Sequence, residues 1–331
     1  MLILVLYVDD LFLTDEDSLI IRCKKELATE FEMKDLGLMH YFLGLEVWQR
    51  PNEIILSQGK YTIDILKRFG MMDCKPMSTP METNLKKLSI SAANSDFADP
   101  SEYRQLIGSL MYLVNTRPDI YYAASALSQF MNQPKHVHLV AAKHILRYLG
   151  GTIGYGLKYS INTTINLEVY TDSDWVGSVT DRKSTSGICF SLGSTMISWA
   201  SRKQSSVALS IVEAEYIASS VATREAVWLR KLLAGLFGQP WESIVIYCDN
   251  QSCIKMFNNL VFHDRSKHVE THYHYIRDMA QRGAIQLKYI NTDEQVSDVL
   301  TKPLARVKFE YFREKLGMVE NTTLIVRESQ S

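Results

Sequence analysis

Leu167-Glu168-Val169-Tyr170-Thr171-Asp172 alternates apolar and polar side chains and ends on a carboxylate. A period of two marks a half-buried strand, and the sequence on either side builds on it. Gly187–Leu192 and Met196–Ala200 read as two further strands joined by Gly193-Ser194-Thr195. Ser210 opens a long helix that closes between Gly235 and Gly238, with Pro240 just beyond. Ile244–Cys248 is a short apolar strand, two helices follow it, and Ile285–Ile290 is a last strand before a final helix. Three strands on short turns, followed by strands separated by helices, predict a five-stranded mixed sheet with helices packed on it.

Four acids in this half fall where element ends converge. Asp172 ends the first strand, Asp249 follows Ile244–Cys248, Glu215 lies one turn into the long helix, and Asp298 lies in the first turns of the last helix. Strand ends and helix starts along one sheet edge are where sites form in open α/β architectures. Four carboxylates gathered there need cations, and two Mg²⁺ ions about 3.5–4 Å apart would neutralise them and clamp both oxygens of an in-line displacement. That pattern points to a metal-dependent nuclease. Ser210-Ile211-Val212-Glu213 has capping-box spacing, so Glu213 is assigned to the helix start and Glu215 to the site. Thr292 with Gln295 repeats the capping spacing and leaves Asp298 free. Asp174 shares a face with Asp172 if the strand continues and is the second choice. Trp199 and Trp228 read as core. His263, His268 and His274 could meet phosphate or assist proton transfer, although packing roles are the commoner use of such residues.

In the first half, Leu2–Leu6 and Leu11–Leu13 flank Tyr7-Val8-Asp9-Asp10, a hairpin with two acids at its tip and a candidate pair of metal ligands. Ile20, Cys23, Leu27 and Phe31 recur at helical spacing. Tyr41–Val47 and Ile54–Leu56 pair around Pro51-Asn52, and Tyr61, Ile65, Leu66 and Phe69 form a helical stripe closed by Gly70. A polar connector runs from Met77 to Pro100. Tyr103–Asn115 and Ile120–Met131 are helices broken by Arg117-Pro118, and His138–Leu149 is a third, ending at Gly150-Gly151. Lys143 and Arg147, four apart on its polar face, are candidate phosphate contacts.

Lys plus Arg total 36 against 37 Asp plus Glu, so no global positive field advertises nucleic acid and any contact must be local. Five scattered cysteines fit reduced thiols inside a cell. Met1–Val8 is too short for a secretion signal or a membrane span. The expected location is therefore intracellular, in cytoplasm or nucleus, with no membrane partner.

Three groups of motifs resemble copia-type retrotransposon Pol polyproteins. Leu6-Tyr7-Val8-Asp9-Asp10, Asp35-Leu36-Gly37 with Tyr41-Phe42-Leu43-Gly44, and Leu56-Ser57-Gln58 with Lys60-Tyr61 are similar to the reverse transcriptase of that family. Tyr103-Arg104, Ile107–Leu113, Thr116-Arg117-Pro118-Asp119 and Ala142–Leu149 resemble its thumb and connection. Thr171–Trp175, Asp181–Gly187, Glu213–Tyr216, Asp249-Asn250-Gln251 and Ser297–Leu304 resemble its ribonuclease H domain. In two places the sequence departs from the pattern: acidic Asp15-Glu16-Asp17 follows the hairpin where the family has Gly, and Glu270 stands where it often has Asp.

The resemblance implies a ribonuclease H-like mixed sheet with helices, preceded by an α+β palm remnant and a helical connection. The expected organisation is a partial palm over 1–76, linker and connection over 77–165, a ribonuclease H-like unit over 166–318 that folds by itself, and a tail over 319–331. Asp172, Glu215, Asp249 and Asp298 would bind two Mg²⁺ ions, with Mn²⁺ as a substitute, and hydrolyse the RNA strand of RNA/DNA hybrids. Asp9 and Asp10 would be part of a polymerase metal site that lacks its upstream Asp, because the chain is expected to begin inside that site. The alternatives are an inert nucleic-acid-binding or pseudogene fragment, and a polymerase completed by another chain. Oligomeric state is left open.

Overall fold

The computed structural model describes residues 2–83, 95–161, 164–177, 181–258 and 275–321. It opens on the hairpin of β1 (Ile3–Tyr7) and β2 (Asp10–Thr14), in which Tyr7 pairs with Asp10 and Val8-Asp9 is the turn. Val8 has φ of 51°, a left-handed value where glycine is at ease and a β-branched residue is strained. The stripe from Ile20 to Leu27 forms α1 (Asp17–Glu30), yet no residue of that helix is buried, and Leu6, Tyr7 and Val8 are exposed with it.

Next come β3 (Tyr41–Phe42), β4 (Leu45–Arg50) and β5 (Glu53–Ser57), with Asn52 at φ 65° in the tight turn between the last two. Four helices follow: α2 (Gly59–Arg68), α3 (Pro100–Leu113), α4 (Tyr121–Ser128) and α5 (His136–Gly150). Asp99 caps α3 by accepting from the Ser101 amide at 2.8 Å. The polar stretch read as a connector is partly packed: Met81 is buried, and His144 meets the Thr79 carbonyl at 3.0 Å.

The second half holds β6 (Tyr155–Ser160), β7 (Leu167–Asp174), β8 (Thr185–Leu192) and β9 (Thr195–Lys203). Then come α6 (Ile211–Phe237), β10 (Ile244–Cys248), α7 (Gln251–Asn258) and β11 (Ile285–Tyr289). Short 3-10 turns at Thr292–Glu294 and Val296–Leu300 lead to α8 (Arg306–Lys315) and β12 (Met318–Glu320). One sheet has the order β11-β10-β7-β8-β9, with β10 parallel to both its neighbours and the rest antiparallel. This is the five-stranded mixed sheet expected from the alternation, and the ribonuclease H-like architecture that the resemblance implies. The N-cap Ser210 and the left-handed Gly238 at φ 66° end α6 where the sequence placed them.

The second sheet, β12-β6-β5-β4-β3, is antiparallel throughout and joins strands between Tyr41 and Ser57 to Met318–Glu320 through β6. Val319 and Glu320, read from sequence as tail, belong to it. The hydrophobic core also crosses the boundary drawn at 165/166. Ile65, Leu106, Leu110, Ile145 and Leu149 from the helices pack in one cluster with Cys189, Met196, Leu300, Phe309 and Leu316. On the other face of the mixed sheet, Val169, Ile188 and Phe190 pack with Tyr216, Leu229 and Ile246. Trp199 follows the expectation of core, donating its ring N–H to the Val114 carbonyl at 2.8 Å. Trp228 does not: it is 57% exposed, because Leu229 and Leu233 carry the buried stripe of α6.

The segment that carries Asp298 lies flat against β8. A Cβ on Gly187 would stand 2.6 Å from Thr301 Cγ2, 2.8 Å from the Ser297 carbonyl oxygen and 3.0 Å from Leu300 Cβ. Two of these atoms belong to backbone or its first carbon and cannot swing aside. Gly187→Ala is expected to lower stability by about 1–3 kcal/mol, the usual cost of overpacking. Urea unfolding would show this as a lower midpoint at unchanged slope; a midpoint equal to that of the wild type would mean that the segment lifts off freely.

Candidate active site

β7 and β10 are parallel neighbours, so their C-terminal ends reach the same sheet edge, and α6 packs across them. That arrangement brings together acids distant in sequence. Carboxylate oxygens of Asp172, Asp249 and Asp298 lie within 4.8 Å of one another, and Glu215, Asp249 and the Cys248 thiol form a second such group. Asp249 belongs to both. Asp172 and Glu215 are each 3% exposed and Asp298 is fully buried. Charge repulsion in this pocket therefore has little water to screen it.

The local bonding shows how the pocket tolerates these charges. Glu215 Oε1 accepts from the Ser173 amide at 3.0 Å, and the Cys248 thiol donates to Oε2 at 3.8 Å. The Thr292 hydroxyl donates to Asp249 Oδ2 at 2.8 Å, and the Thr301 hydroxyl donates to Asp172. Lys302 Nζ stands 2.8 Å from Asp298 and 3.4 Å from Asp172, while Lys308 Nζ is 3.1 Å from the other Asp298 oxygen. Burial first, and the Asp172 charge second, push the Asp298 carboxyl up to about 6 against the pull of Lys302. The same two causes raise Asp249. Burial, followed by Asp172, Cys248 and Asp249, holds Glu215 well above the usual carboxylate range. Burial alone would push the Lys302 ammonium down, but Asp172 and Asp298 hold it above its ordinary value.

The four acids singled out in the sequence therefore meet. β7 does continue to Asp174, whose carboxyl burial raises to about 6, but Asp174 joins neither ligand group among the described residues. Glu213 serves the helix start: its amide donates to Ser210 Oγ at 3.2 Å and its carboxylate accepts from the Leu209 amide at 2.7 Å. The capping box expected at Thr292–Gln295 does not form. Asn291 caps that turn, Thr292 turns to Asp249, and Gln295 is buried, donating to the Thr171 carbonyl at 3.0 Å. Asp298 accordingly sits in a 3-10 turn, ahead of the last α-helix.

Lys302 and Lys308 went unnoticed in the sequence. Lys302 was legible as the i+4 partner of Asp298 on a helical turn; Lys308 reaches the site only through the fold. Elsewhere, Asp9 and Asp10 stand exposed at the hairpin tip, and neither joins a ligand group among the described residues. Lys143 lies 3.6 Å from Glu102, and Arg147 Nε donates to the Lys75 carbonyl at 2.8 Å, so both have partners within the chain. His263, His268, His274 and Glu270 lie outside the described residues. An all-oxygen set of three carboxylates suits a hard divalent cation, and the raised proton affinity of Asp249 and Asp298 reflects charge that such an ion would relieve.

Comparison with known proteins gives the family and the fold. A family model described as reverse transcriptase (RNA-dependent DNA polymerase) matches residues 1–83. The retrovirus-related Pol polyprotein from transposon RE2 of Arabidopsis thaliana is 41% identical over 318 residues, covering 96% of this chain and 22% of the polyprotein. A putative transposon Ty5-1 protein of Saccharomyces cerevisiae is 35% identical over 224 residues, 66% of this chain and 72% of that protein. The chain thus spans about a fifth of the RE2 polyprotein that it matches. In fold it is similar to a foamy viral protease-reverse transcriptase solved with double-stranded DNA, with a TM-score of 0.51 at 12% identity over 87% of this chain and 46% of that one. The chain belongs to the copia-type retrotransposon Pol polyproteins.

Proposed function

We propose that this chain is a Mg²⁺-dependent endonuclease that hydrolyses the RNA strand of RNA/DNA hybrids. The observation that carries the reading is Asp249, shared by two groups of potential ligands that also contain Asp172, Asp298 and Glu215. Bound Mg²⁺ ions, with Mn²⁺ as a substitute, would supply Lewis acidity toward the phosphate and a lowered pKa for the attacking water. Asp172, Glu215, Asp249 and Asp298 would hold them. Thr292 and Thr301 fix the rotamers of Asp249 and Asp172 by hydrogen bonding. Lys302 and Lys308 offset part of the acids' charge, and each, about a third exposed, is open to an arriving phosphate. Choice of hybrid over duplex DNA would rest on shape and 2′-hydroxyls. The five free cysteines support an intracellular setting. No helix among the described residues is long and apolar enough to cross a membrane.

Glu215→Gln removes a ligand and should abolish cleavage of a labelled hybrid while leaving the fold intact. Glu213→Gln keeps a side chain able to accept from the Leu209 amide, so activity should survive with stability changed by roughly 1 kcal/mol or less. The opposite result would reverse the two assignments; loss of neither activity would remove the nuclease reading and leave an inert nucleic-acid-binding fragment.

The raised acids also couple metal binding to pH. Between the ordinary Asp value of 3.8 and about 6, folded Asp298 holds a proton that the unfolded chain has released. Its contribution therefore favours folding at low pH and is lost as pH rises through about 6. Metal binding restores it where the carboxylate is ionised. Mg²⁺ should accordingly raise Tm by several degrees more at pH 8 than at pH 5; equal shifts by calorimetry would contradict the linkage.

The exposed Asp9 and Asp10, outside any described group of three ligands, support an incomplete polymerase site. Template-primed nucleotide incorporation by this chain should not exceed that of an Asp9→Asn, Asp10→Asn variant.

A further inference from the structure

The sheet register turns Cys248 and Asp249 to different sides of the same site. Cys248 ends the buried face of β10 beneath α6, whereas Asp249 leaves the strand end toward Asp172. The Cys248 sulfur is fully buried and lies 3.8 Å from Glu215 Oε2. A tetrahedral ion with bonds of about 2.3 Å to sulfur and about 2.1 Å to oxygen places the two atoms roughly 3.6 Å apart, close to what the resting structure already holds. The Asn250 amide donates to the same sulfur at 3.4 Å. Cys253, also fully buried, follows on α7, where its amide donates to Asn250 Oδ1 at 2.9 Å.

We propose that Cys248, Glu215 and Asp249 form a binding site for a thiophilic divalent cation of the Zn²⁺ or Cd²⁺ kind, overlapping the hard-cation site and competing with it. Mg²⁺ takes oxygen donors and leaves the thiol alone, whereas Zn²⁺ and Cd²⁺ gain most from thiolate. On binding, the sulfur–metal bond forms as the thiol proton leaves to solvent, and no electron is transferred. Glu215 keeps one oxygen on the Ser173 amide and turns the other to the ion. Asp249, half-buried at the strand end, is the side from which the ion enters. With Glu215 and Asp249 both committed, a soft cation would occupy the site without unfolding the chain. The inference rests on the thiol geometry and stands whether or not the chain cleaves hybrids.

The full chain, with the half-buried Cys23 and Cys74 changed to Ser to silence other thiols, is titrated with Cd²⁺ in Mg²⁺-free buffer. The ultraviolet sulfur-to-cadmium charge-transfer band is followed. One equivalent is expected to bind, to be displaced by Zn²⁺ and to weaken as Mg²⁺ is raised. Cys248→Ala should remove the band, and Glu215→Gln should weaken binding tenfold or more. A band that survives Cys248→Ala in a folded protein, or an affinity unchanged by Glu215→Gln, overturns the proposal. Should Cys248→Ala fail to fold, Glu215→Gln decides alone. Failure of hybrid cleavage with a normal Cd²⁺ titration would reject the nuclease reading and leave this site standing.

Discussion

Like charges held within ligand distance and shut away from water are the constraint around which this structure is arranged. Asp172, Asp249 and Asp298 would separate if their elements were free to move, since their repulsion has little solvent to weaken it. They stay together because each is fastened from behind. Asp172 is mid-sheet on β7, Asp249 is anchored by a strand parallel to it, and Asp298 rides on a turn pressed against Gly187. Lys302 and Lys308 reach in from the following residues to offset the charge. The glycine and the lysines solve one problem from two directions, close approach and counter-charge.

A second buried ionic arrangement ties the helical half to this region. Arg117 donates to both oxygens of Asp119 at 3.0 and 2.8 Å and to the Thr152 carbonyl at 2.9 Å. Tyr148 donates to Asp119 and accepts from Arg313 on α8. Burial alone would raise the Asp119 carboxyl, yet Arg117 and these hydrogen bonds hold it below its usual range. Because α8 also carries Lys308, the same helix answers to the network at its C-terminal end and to the acids at its N-terminal end. A charge left without its partner in such a place costs more than the pair contributes.

Periodicity and element ends made the mixed sheet and its four acids legible in sequence. Leu167–Asp172 alternates up to Asp172, Ser210 caps the helix just before Glu215, and the apolar run Ile244–Cys248 leads into Asp249. What escaped had no local signal. β6 contains Gly156 in close contact with the Leu56 carbonyl, and β12 has three residues; β6 is a strand because it meets β5 and β12, and β12 because it meets β6. Thr292 and Gln295 had the spacing of a cap, but the pull of Asp249 and of the Thr171 carbonyl outweighed it. Trp228 was read as core on residue type, whereas its position one residue before the buried stripe of α6 decides against it. The helix stripe ending at Phe31 formed as expected and still found no core to cover it.

The pairing of β12 with β6 bears on how this chain matures during synthesis. Lys158 donates to the Gly317 carbonyl at 3.0 Å, and Met318 faces Leu157 across the ladder. On a ribosome, β6 is finished long before its partner has been translated, so one edge of the first-half sheet waits unpaired while the entire mixed sheet is made. Contacts of such long range close slowly, and an open strand edge is a template for another chain in the meantime. Emergence of β12, more than the folding of either half, therefore sets when that edge is covered.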